Sequence, residues 1–472
     1  MEKNKKKKIV ILGAGLAGLR LGARLSEKGF QVELHEKESF VGGLLQTIER
    51  NGFIFDLGPH IFFDEYLDYY QRLLGDDLLR LHALYGIGFD RKQIQSPINP
   101  INLIKKVSPL RSIPLVGGLA SRALFGSDVS RAQSADEWVT AKFGDRANEY
   151  FFRYYIEKST GLTSTNVSAH WCTERHRFYK EHNLWGRALK VLSRLLKRST
   201  GAPLTLYYTK KGAQIIAEKM ADGIKTGGGS IVLNSKIVEI GVDNHRVRDI
   251  QVESRDGGKR RVDADLFANT LPITTLWNLL LQNESVANTE SPLNLKFRNL
   301  WLFYFFIKRP RLSDKVQIYF PEKKYVFKRI YEPKNLNPAM GAPETTGVCV
   351  EVGYTDGDAI STITEDELAA RVKNEMADFY SLKPDEFLEY FSLKVPYSYP
   401  IYELGYEHEL MRAATWLFNT DNIFSLGRQG LFRYDFMTNR VMESADALAE
   451  FILSGKTKME FFKTPNAKAP FF

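Results

Sequence analysis

The chain has 472 residues, of which 44% are hydrophobic and 26% are charged, and its net charge is +9. This composition excludes an intrinsically disordered protein, and two cysteines are too few for a disulfide framework. The length exceeds the ~250–300 residues at which a single core stops growing, so we expect two domains.

The N-terminus MEKNKKKKIVILGAG passes from a basic tract directly into an apolar strand. It lacks the apolar length and the small-residue cleavage site of a secretory signal. Cys172 and Cys349 have no CxxC spacing, which fits a reducing compartment and gives no support for a metal site. We therefore expect a cytoplasmic protein without a metal. The positive charge could attract an anionic small molecule, but no nucleic-acid motif accompanies it.

The first regular elements form the pattern of a βαβ unit: a short apolar strand, a largely apolar helix and a second strand over residues 31–34. Three glycines separate the first strand from the helix. Gly13 permits the tight turn, Gly15 lets the backbone approach a pyrophosphate, and Gly18 lets the helix pack closely on the strand. Glu36 follows the second strand, where a carboxylate accepts hydrogen bonds from a ribose. The motif predicts a dinucleotide site.

Further glycines follow this unit. Gly42 and Gly43 allow a second close approach of the backbone to a ligand, for which NAD alone has no need. His60 follows Gly58 at the start of a predicted strand. A single histidine is more often structural than catalytic, but its loop position makes His60 a candidate for the substrate pocket.

Between residues 71 and 205, helix-like segments dominate, and basic residues alternate with aromatic ones. Such a set can form a pocket for a planar or phosphorylated ligand, and core packing beside a solvated face is the alternative. Residues 108–126 are apolar with scattered arginines, but Pro114 interrupts them and no uncharged run of ~20 residues is present. We expect a linker or lid there, with contact to a membrane surface as the alternative.

The second half of the chain contains two more segments with nucleotide-binding features. A helix over residues 213–224 and extended segments over 230–233 and 237–242 could extend the nucleotide sheet or form a separate αβ unit. A strand over residues 422–426, a glycine-bearing turn and a helix over 438–453 place amides where they suit a pyrophosphate or a flavin carbonyl. Between them, residues 298–331 and 347–353 predict a sheet, because β-branched and aromatic residues dominate.

These segments resemble the flavin amine oxidase superfamily, which includes protoporphyrinogen oxidases, phytoene desaturases and, more distantly, UDP-galactopyranose mutases. The run from Gly13 through GLLQT is similar to its FAD-binding start, and GPHIF is closest to the mutases. Further similar segments are residues 55–63, 96–107, 136–161, 207–240 and 422–441.

The resemblance implies an α/β fold: a discontinuous, Rossmann-like FAD-binding domain with a mixed α+β substrate domain. The FAD-binding domain would comprise residues 1–70, 205–270 and 415–460. The substrate domain would comprise residues 71–204 and 271–414.

The resemblance and the patterns together give the candidate site residues. The FAD-binding candidates are Gly13, Gly15, Gly18, Glu36, Gly42, Gly43, Gly58, His60, Ile237, Gly427, Arg428 and Met437. The catalytic candidates are His60, Arg329 and Tyr399. The substrate-binding candidates are Tyr155, Lys158, Arg175, Arg177, Tyr331 and Tyr402.

Two positions depart from the family pattern. Thr160 stands where relatives usually have tryptophan, which leaves the substrate open. Thr438 stands where they often have aspartate, but we expect its side chain to cap a helix and leave the amides free for the flavin.

These features favour an FAD-dependent oxidoreductase that passes a hydride from an organic substrate to flavin N5. The alternative is a sugar-nucleotide mutase in which reduced FAD attacks the anomeric carbon. A third reading is a flavin-binding protein without chemistry. The expected partner is a small-molecule substrate, with an anionic molecule or a sugar nucleotide as the alternatives, and no nucleic acid.

Overall fold

The structure is a computed structural model that describes residues 7–96, 100–125, 128–181 and 204–462. The strands in these ranges are β1 (Lys8–Leu12), β2 (Gln31–His35), β3 (Thr47–Arg50), β4 (Phe53–Asp56), β5 (Leu78–Ala83), β6 (Tyr85–Phe89), β7 (Lys92–Ser96), β8 (Leu204–Thr209), β9 (Ser230–Val232), β10 (Ser235–Asp243), β11 (Arg246–Ser254), β12 (Lys259–Asp263), β13 (Leu266–Asn269), β14 (Phe297–Ile307), β15 (Gln317–Tyr319), β16 (Arg329–Tyr331), β17 (Thr346–Tyr354), β18 (Phe387–Pro400) and β19 (Ile423–Ser425).

The helices are α1 (Leu16–Ser26), α2 (Leu67–Leu74), α3 (Pro100–Lys106), α4 (Pro109–Phe125), α5 (Ala135–Phe143), α6 (Asp145–Ala147), α7 (Arg153–Thr160), α8 (Ala169–Glu181), α9 (Gln214–Thr226), α10 (Ile273–Leu280), α11 (Glu284–Ala287), α12 (Glu365–Tyr380), α13 (Tyr406–Asn419), α14 (Gly427–Gly430), α15 (Thr438–Ser454) and α16 (Lys458–Phe462). A π-helical turn, Asn148–Phe152, joins α6 to α7.

A five-stranded parallel sheet has the order β19-β13-β1-β2-β9. The apolar residues of β1 are completely buried, as expected for a parallel strand covered on both faces. Helix α1 packs against α9, where Ile224 lies close to Gly22, and against α15, where Asp446 pairs with Arg20. The predicted α/β fold class is confirmed.

Three separate stretches of chain supply this sheet: β1 and β2, then β9 and β13, and finally β19. Strand β13 lies between β1 and β19, so the beginning and the end of the chain meet in one layer. The domain boundaries stay a prediction.

The second large sheet has the order β18-β14-β17-β16-β15-β6-β7. Every residue of β14 is buried. Because alternate side chains point to opposite faces of a strand, both faces of the sheet are covered here. Leu302 and Tyr304 pack towards the core of the nucleotide-binding sheet, whereas Phe303 and Phe305 pack against α12. Strand β14 therefore links the two halves of the core.

The region predicted to be mainly helical also contains β5, β6 and β7. These strands are short and carry glycine and polar residues, such as KQIQS in β7, so their pattern is weak. Pairing with partners distant in sequence creates them: β5 pairs with β8 and β6 with β15.

The segment predicted as a linker or lid forms helix α4, which has Pro114 in its interior, and its role as a lid stays a prediction. Its Leu115 joins a small core with Phe89 and Leu103, and this burial outweighs the poor helix propensity of proline. Leu110 and Ile113 on the same helix are 89% and 63% exposed. No helix in the described part of the chain is long and apolar enough to cross a bilayer.

Candidate functional site

The first glycine loop connects the carboxyl end of β1 to α1. A Cβ atom on Gly18 would overlap the carbonyl oxygen of Gly13, so Gly18 is needed for helix–strand packing. A Cβ atom on Gly15 would meet no protein atom within 4 Å. Gly15 therefore faces open space at the helix N-terminus, where backbone amides can bind an anion.

Glu36 lies directly beyond β2 and is 8% exposed. Its Oε2 accepts a hydrogen bond from the Ala14 amide at 2.9 Å, and its Oε1 accepts one from the Glu38 amide at 3.1 Å. The carboxylate is thus fixed beside the glycine loop with lone pairs left for ribose hydroxyls.

The second glycine pair contacts the first loop. The Gly42 amide donates to the Ala14 carbonyl at 2.8 Å, with a φ of 113° that favours glycine. A Cβ atom on Gly43 would lie 3.3 Å from the Cα of Gly15. Both glycine segments therefore border one space.

The C-terminal segment reaches the same space. Gly427, with a φ of 79°, lies so close to α1 that its Cβ would be 2.9 Å from the Cβ of Ala17. The Thr438 hydroxyl donates to the Ile61 carbonyl at 3.1 Å, which ties α15 to the segment containing His60. Arg428 fixes the loop between α14 and α15 by donating from Nε to the Phe436 carbonyl at 2.9 Å.

The expectation that Thr438 caps α15 is wrong. The N-cap residue is Met437, and no side chain caps the helix. Helix α1 also begins without a side-chain cap, at Gly15. Two uncapped helix N-termini therefore border the space, and their amides suit phosphate or carbonyl oxygens.

Several buried polar atoms without a hydrogen-bond partner lie in this part of the fold, and they test whether the residues fit FAD. Within the described residues these atoms include His60 Nδ1, Arg329 Nε, Glu351 Oε2 and Asn439 Oδ1. Buried polar groups in folded proteins almost always have hydrogen-bond partners. A polar, anionic dinucleotide would supply them, so the residues fit the cofactor.

A charged cluster lies between the GPHIF segment and the second sheet. The Glu351 side chain is completely buried; its Oε1 lies 2.6 Å from Arg329 Nη2, and its Oε2 lies 3.7 Å from Lys328 Nζ. Burial alone would raise the pKa of Glu351, but Arg329 and Lys328 hold it below its ordinary value. A Cβ on Gly58 would lie 2.9 Å from Glu351 Oε1, so this glycine allows the close approach.

His60 lies beside this cluster. Burial, followed by the charges of Arg428 and Arg329, lowers the pKa of His60 to about 3. Its imidazole is therefore neutral near pH 7, and it can offer hydrogen bonds but no positive charge.

Tyr399 is half-buried among cations. Lys328 Nζ lies 4.3 Å from its ring centroid, Arg428 Cζ lies 5.3 Å from it, and the Tyr434 ring stacks on it at 5.1 Å. Burial would raise the pKa of Tyr399, but Lys328, Arg329 and Arg428 lower it. These three cations therefore stabilise the phenolate of Tyr399 relative to that of an ordinary tyrosine.

Arg175 lies among the aromatic residues of the predicted pocket. Its Cζ lies 4.7 Å from the Trp171 ring centroid and 5.6 Å from those of Tyr155 and Tyr434. Tyr155 contacts Tyr319 edge-on at 5.8 Å, and Arg329 Cζ lies 5.9 Å from Tyr319. The aromatic residues around Arg175 are therefore continuous, through Tyr319, with the charged cluster of Lys328, Arg329 and Glu351.

Two of the predicted substrate-binding residues, Lys158 and Tyr402, already have partners within the protein, and their contact with a substrate stays a prediction. The Lys158 ammonium donates to the carbonyls of Phe320 and Glu322, both at 2.7 Å, and of Phe327 at 3.2 Å. The Tyr402 hydroxyl lies 2.8 Å from Glu174 Oε2 and accepts from the Tyr434 amide at 2.9 Å. Both side chains hold loops in place.

The three remaining candidates are Tyr331, Ile237 and Arg177, and each lies in a different part of the structure. Tyr331 is completely buried near Asp56 and Tyr208, and its substrate contact stays a prediction. The Ile237 side chain lies in an apolar core, which leaves only its backbone for a ligand. Arg177 is on α8, and its side chain lies outside the described residues.

Lys328 and Glu351 were missed by sequence reasoning. Glu351 had a signal: it is the single charged residue in the apolar strand sequence TGVCVEVGY of β17. A charge in a fully buried strand requires a partner. Lys328 immediately precedes Arg329 in the sequence, but no sequence pattern indicates that Lys328 lies beside Glu351. The fold brings both basic side chains to this carboxylate.

The sequence profile of the family "Flavin containing amine oxidoreductase" matches residues 16–415. A 1-hydroxycarotenoid 3,4-desaturase of Flavobacterium sp. (strain P99-3) is 24% identical over 354 residues, covering 70% of each chain. A reduced UDP-galactopyranose mutase is similar in structure with a TM-score of 0.76, at 18% identity, over 96% of this chain and 94% of the other. A putrescine oxidase variant gives a TM-score of 0.65 at 14% identity, over 96% and 99%.

Proposed function

Since the chain belongs to the family of flavin-containing amine oxidoreductases and is an FAD-dependent enzyme, we propose that it oxidises an organic molecule by removal of a hydride. A polyene is the first substrate class to test. The Flavobacterium relative of this chain is a carotenoid desaturase, and an apolar polyene would pack well against aromatic rings.

The observation that carries this proposal is the excess of positive charge around Tyr399. Lys328, Arg329 and Arg428 surround it, and Glu351 is the one carboxylate among the groups that most affect it. Bound FAD supplies the hydride acceptor, N5 of its flavin ring. With the flavin bound beside Tyr399, the fixed positive charge of Lys328, Arg329 and Arg428 would stabilise the negative charge that arrives with a hydride.

Aromatic residues would position the substrate. Tyr434 stacks on Tyr399, and Trp171 meets Tyr434 edge-on at 5.2 Å. Such a wall excludes water and orients a planar or extended apolar molecule. Arg175, between Trp171 and Tyr155, would hold a polar or anionic end group if the substrate has one.

The second candidate is a mutase that acts on a sugar nucleotide. Arg175 favours it, because its Nη1 donates to the Tyr434 hydroxyl at 3.2 Å while its planar guanidinium faces aromatic rings. That geometry also suits a diphosphate beside a nucleoside base. The similar fold of the UDP-galactopyranose mutase is compatible with this reading.

One anaerobic experiment separates the two functions. The oxidised holoenzyme is mixed with a polyene, an amine or a porphyrinogen, and loss of the flavin absorbance is followed. In parallel, the dithionite-reduced enzyme is incubated with UDP-hexoses, and ring-contracted product is sought. Bleaching without isomerisation supports oxidation, and product that requires reduced flavin supports the mutase. If neither occurs, a flavin-binding protein without chemistry remains and both proposals fail.

Contact with a membrane surface is a further part of this proposal. Leu110 and Ile113 of α4 are exposed, and Ile104 of α3 nearby is 45% exposed. Lys105, Lys106 and Arg111 add positive charge beside these apolar side chains. An apolar face with a cationic border suits an anionic bilayer surface, where a polyene would reside.

A further inference from the structure

Oxidation by hydride removal releases a proton as well. When a C–H bond loses its hydride, a double bond forms only if the neighbouring C–H or N–H bond gives its electron pair to the new π bond and releases H⁺. The proposed function, on which this inference rests, therefore needs a proton acceptor near the flavin.

Most ionisable groups of the site are unsuited to this task. The pKa of His60 is lowered to about 3 by burial and by Arg428, so its imidazole is a weak base. Glu351 is completely buried and ion-paired. Asp56 is completely buried and accepts hydrogen bonds from Thr47 at 2.7 Å and from the Ala213 amide at 3.0 Å, so it has no access to a substrate.

The Tyr399 hydroxyl is different. It has no hydrogen-bond partner among the described residues, and its side chain is only half-buried. The neighbouring Tyr434 hydroxyl accepts from Arg175, and the Tyr402 hydroxyl bonds to Glu174. Among Tyr399, Tyr402 and Tyr434, Tyr399 is the tyrosine whose hydroxyl has no hydrogen-bond partner in the described part of the chain.

Charged groups face Tyr399 from each element packed against it. Lys328 and Arg329 come from the segment at β16, Glu351 from β17, and Arg428 from α14. On β14, Arg298 pairs with Tyr399 in register but turns away to Asp358 at 2.6 Å.

The uncharged neighbours of Tyr399 do not change the net charge around its ring. His60 is neutral near pH 7, and burial keeps the Tyr434 phenol neutral by raising its pKa. The net charge around Tyr399 is therefore positive.

We propose that Tyr399 is a catalytic residue whose phenolate accepts the proton released during oxidation, and that Lys328 is a positioning residue that stabilises this phenolate. The hydride leaves one C–H bond with its two electrons for FAD. The electron pair of the neighbouring bond becomes the π bond, its proton forms the O–H bond of Tyr399, and solvent then takes that proton. Lys328 lies over the ring face, where a cation favours the anionic ring.

The test does not depend on a substrate. Holoenzyme is prepared with tyrosine labelled with ¹³C at Cζ, whose chemical shift reports ionisation, and it is titrated across pH 6–11. We expect one resonance to titrate below the ordinary tyrosine value of about 10. It should disappear in Tyr399→Phe and persist in Tyr397→Phe, a control on the same strand whose side chain is 40% exposed.

Variants at Lys328 test the second half of the inference. Lys328→Met should move the Tyr399 titration upwards by ~1 pH unit, and Lys328→Arg should restore it. The pH dependence of substrate-driven flavin bleaching should move in parallel, and Tyr399→Phe should slow bleaching by ~10²–10⁴-fold.

Failure of this inference is distinguishable from failure of the proposed function. An ordinary Tyr399 titration, or one that Lys328→Met leaves in place, overturns the inference even if the wild type bleaches with substrate. Absence of bleaching with every donor overturns the proposed function and the proton-transfer step with it.

Discussion

At the scale of single residues, the two glycines of the first loop perform different tasks. Gly18 is a packing residue, because a Cβ there would overlap the Gly13 carbonyl. Gly15 has open space, so nothing in the folded protein alone requires glycine there. A requirement for glycine at position 15 would therefore come from the ligand, which makes this residue a direct probe of the predicted FAD binding.

We predict that Gly15→Val folds but is isolated as colourless apoprotein, since its side chain would fill the space for the pyrophosphate. The measurement is flavin absorbance per mole of protein, with circular dichroism as a check of the fold. Gly223→Val, at an exposed position of α9 that also has no neighbour within 4 Å, is the matched control and should stay yellow. A fully loaded Gly15→Val protein would show that the loop does not bind the pyrophosphate.

His60 gives a prediction for pH dependence. Its pKa falls from about 6.5 in the unfolded chain to about 3 in the folded one, so the unfolded state binds more protons between these values. Stability is therefore lost as pH falls through that window, by up to about 1.4 kcal/mol per unit from this group. Urea unfolding at pH 7 and pH 4.5 should show a smaller loss for His60→Gln than for wild type.

His408→Gln is the control for that measurement, because the His408 side chain is 81% exposed. It should lose as much stability on acidification as the wild type does. Equal losses in all three proteins would contradict the assignment of a shifted pKa to His60.

At the scale of elements, sequence patterns predicted those helices and strands that are determined by the local sequence. The βαβ unit, helix α9 and the strand–turn–helix from β19 to α15 were predicted with small errors at their ends, because periodicity and glycine positions encode them. The hydrogen bonds of Lys158 and Tyr402 to other parts of the protein were not predicted, since their acceptors lie on segments distant in sequence. Pattern alone carries no information about such partners.

Helix α4 is a second case in which a local sequence pattern does not indicate a contact that packing provides, and it leads to a prediction. Pro114 indicated an interruption, yet packing of Leu115 keeps the helix intact. We expect the double variant Leu110→Ser, Ile113→Ser to lose several-fold in binding to vesicles of phosphatidylcholine and phosphatidylglycerol, measured by co-sedimentation. Met411→Ser, at an apolar side chain 65% exposed on α13, should bind as the wild type does. Wild-type protein that stays in the supernatant would exclude this surface contact.

At the scale of the whole molecule, the candidate cofactor site depends on the meeting of segments from the N-terminal and C-terminal parts of the chain. Strand β13 lies between β1 and β19, which aligns the carboxyl ends of parallel strands at one edge, where α/β sheets bind their ligands. The sequence indicated each segment separately. Their juxtaposition follows from the order of strands, which no local pattern specifies.

This arrangement predicts that a change near the C-terminus disturbs the N-terminal loop. Gly427→Val would push against Ala17 of α1, because even a Cβ would lie 2.9 Å from the Ala17 Cβ. It should weaken FAD retention and lower the thermal midpoint of the holoenzyme, since a ligand that binds only the folded state stabilises it. Fluorescence of released FAD and a thermal melt measure both effects.

Gly405→Val separates this contact from backbone strain. Gly405 has a φ of 83°, close to the 79° of Gly427, but a Cβ there would meet no atom within 4 Å. Both variants therefore carry a similar cost for a side chain at positive φ, and Gly427→Val alone presses on Ala17 in the first turn of α1. Because Gly405 lies away from the glycine loop, the Gly405→Val variant should have a lower thermal midpoint but should retain FAD. An equal loss of FAD in both variants would mean that backbone strain governs cofactor binding, rather than contact between the two ends of the chain.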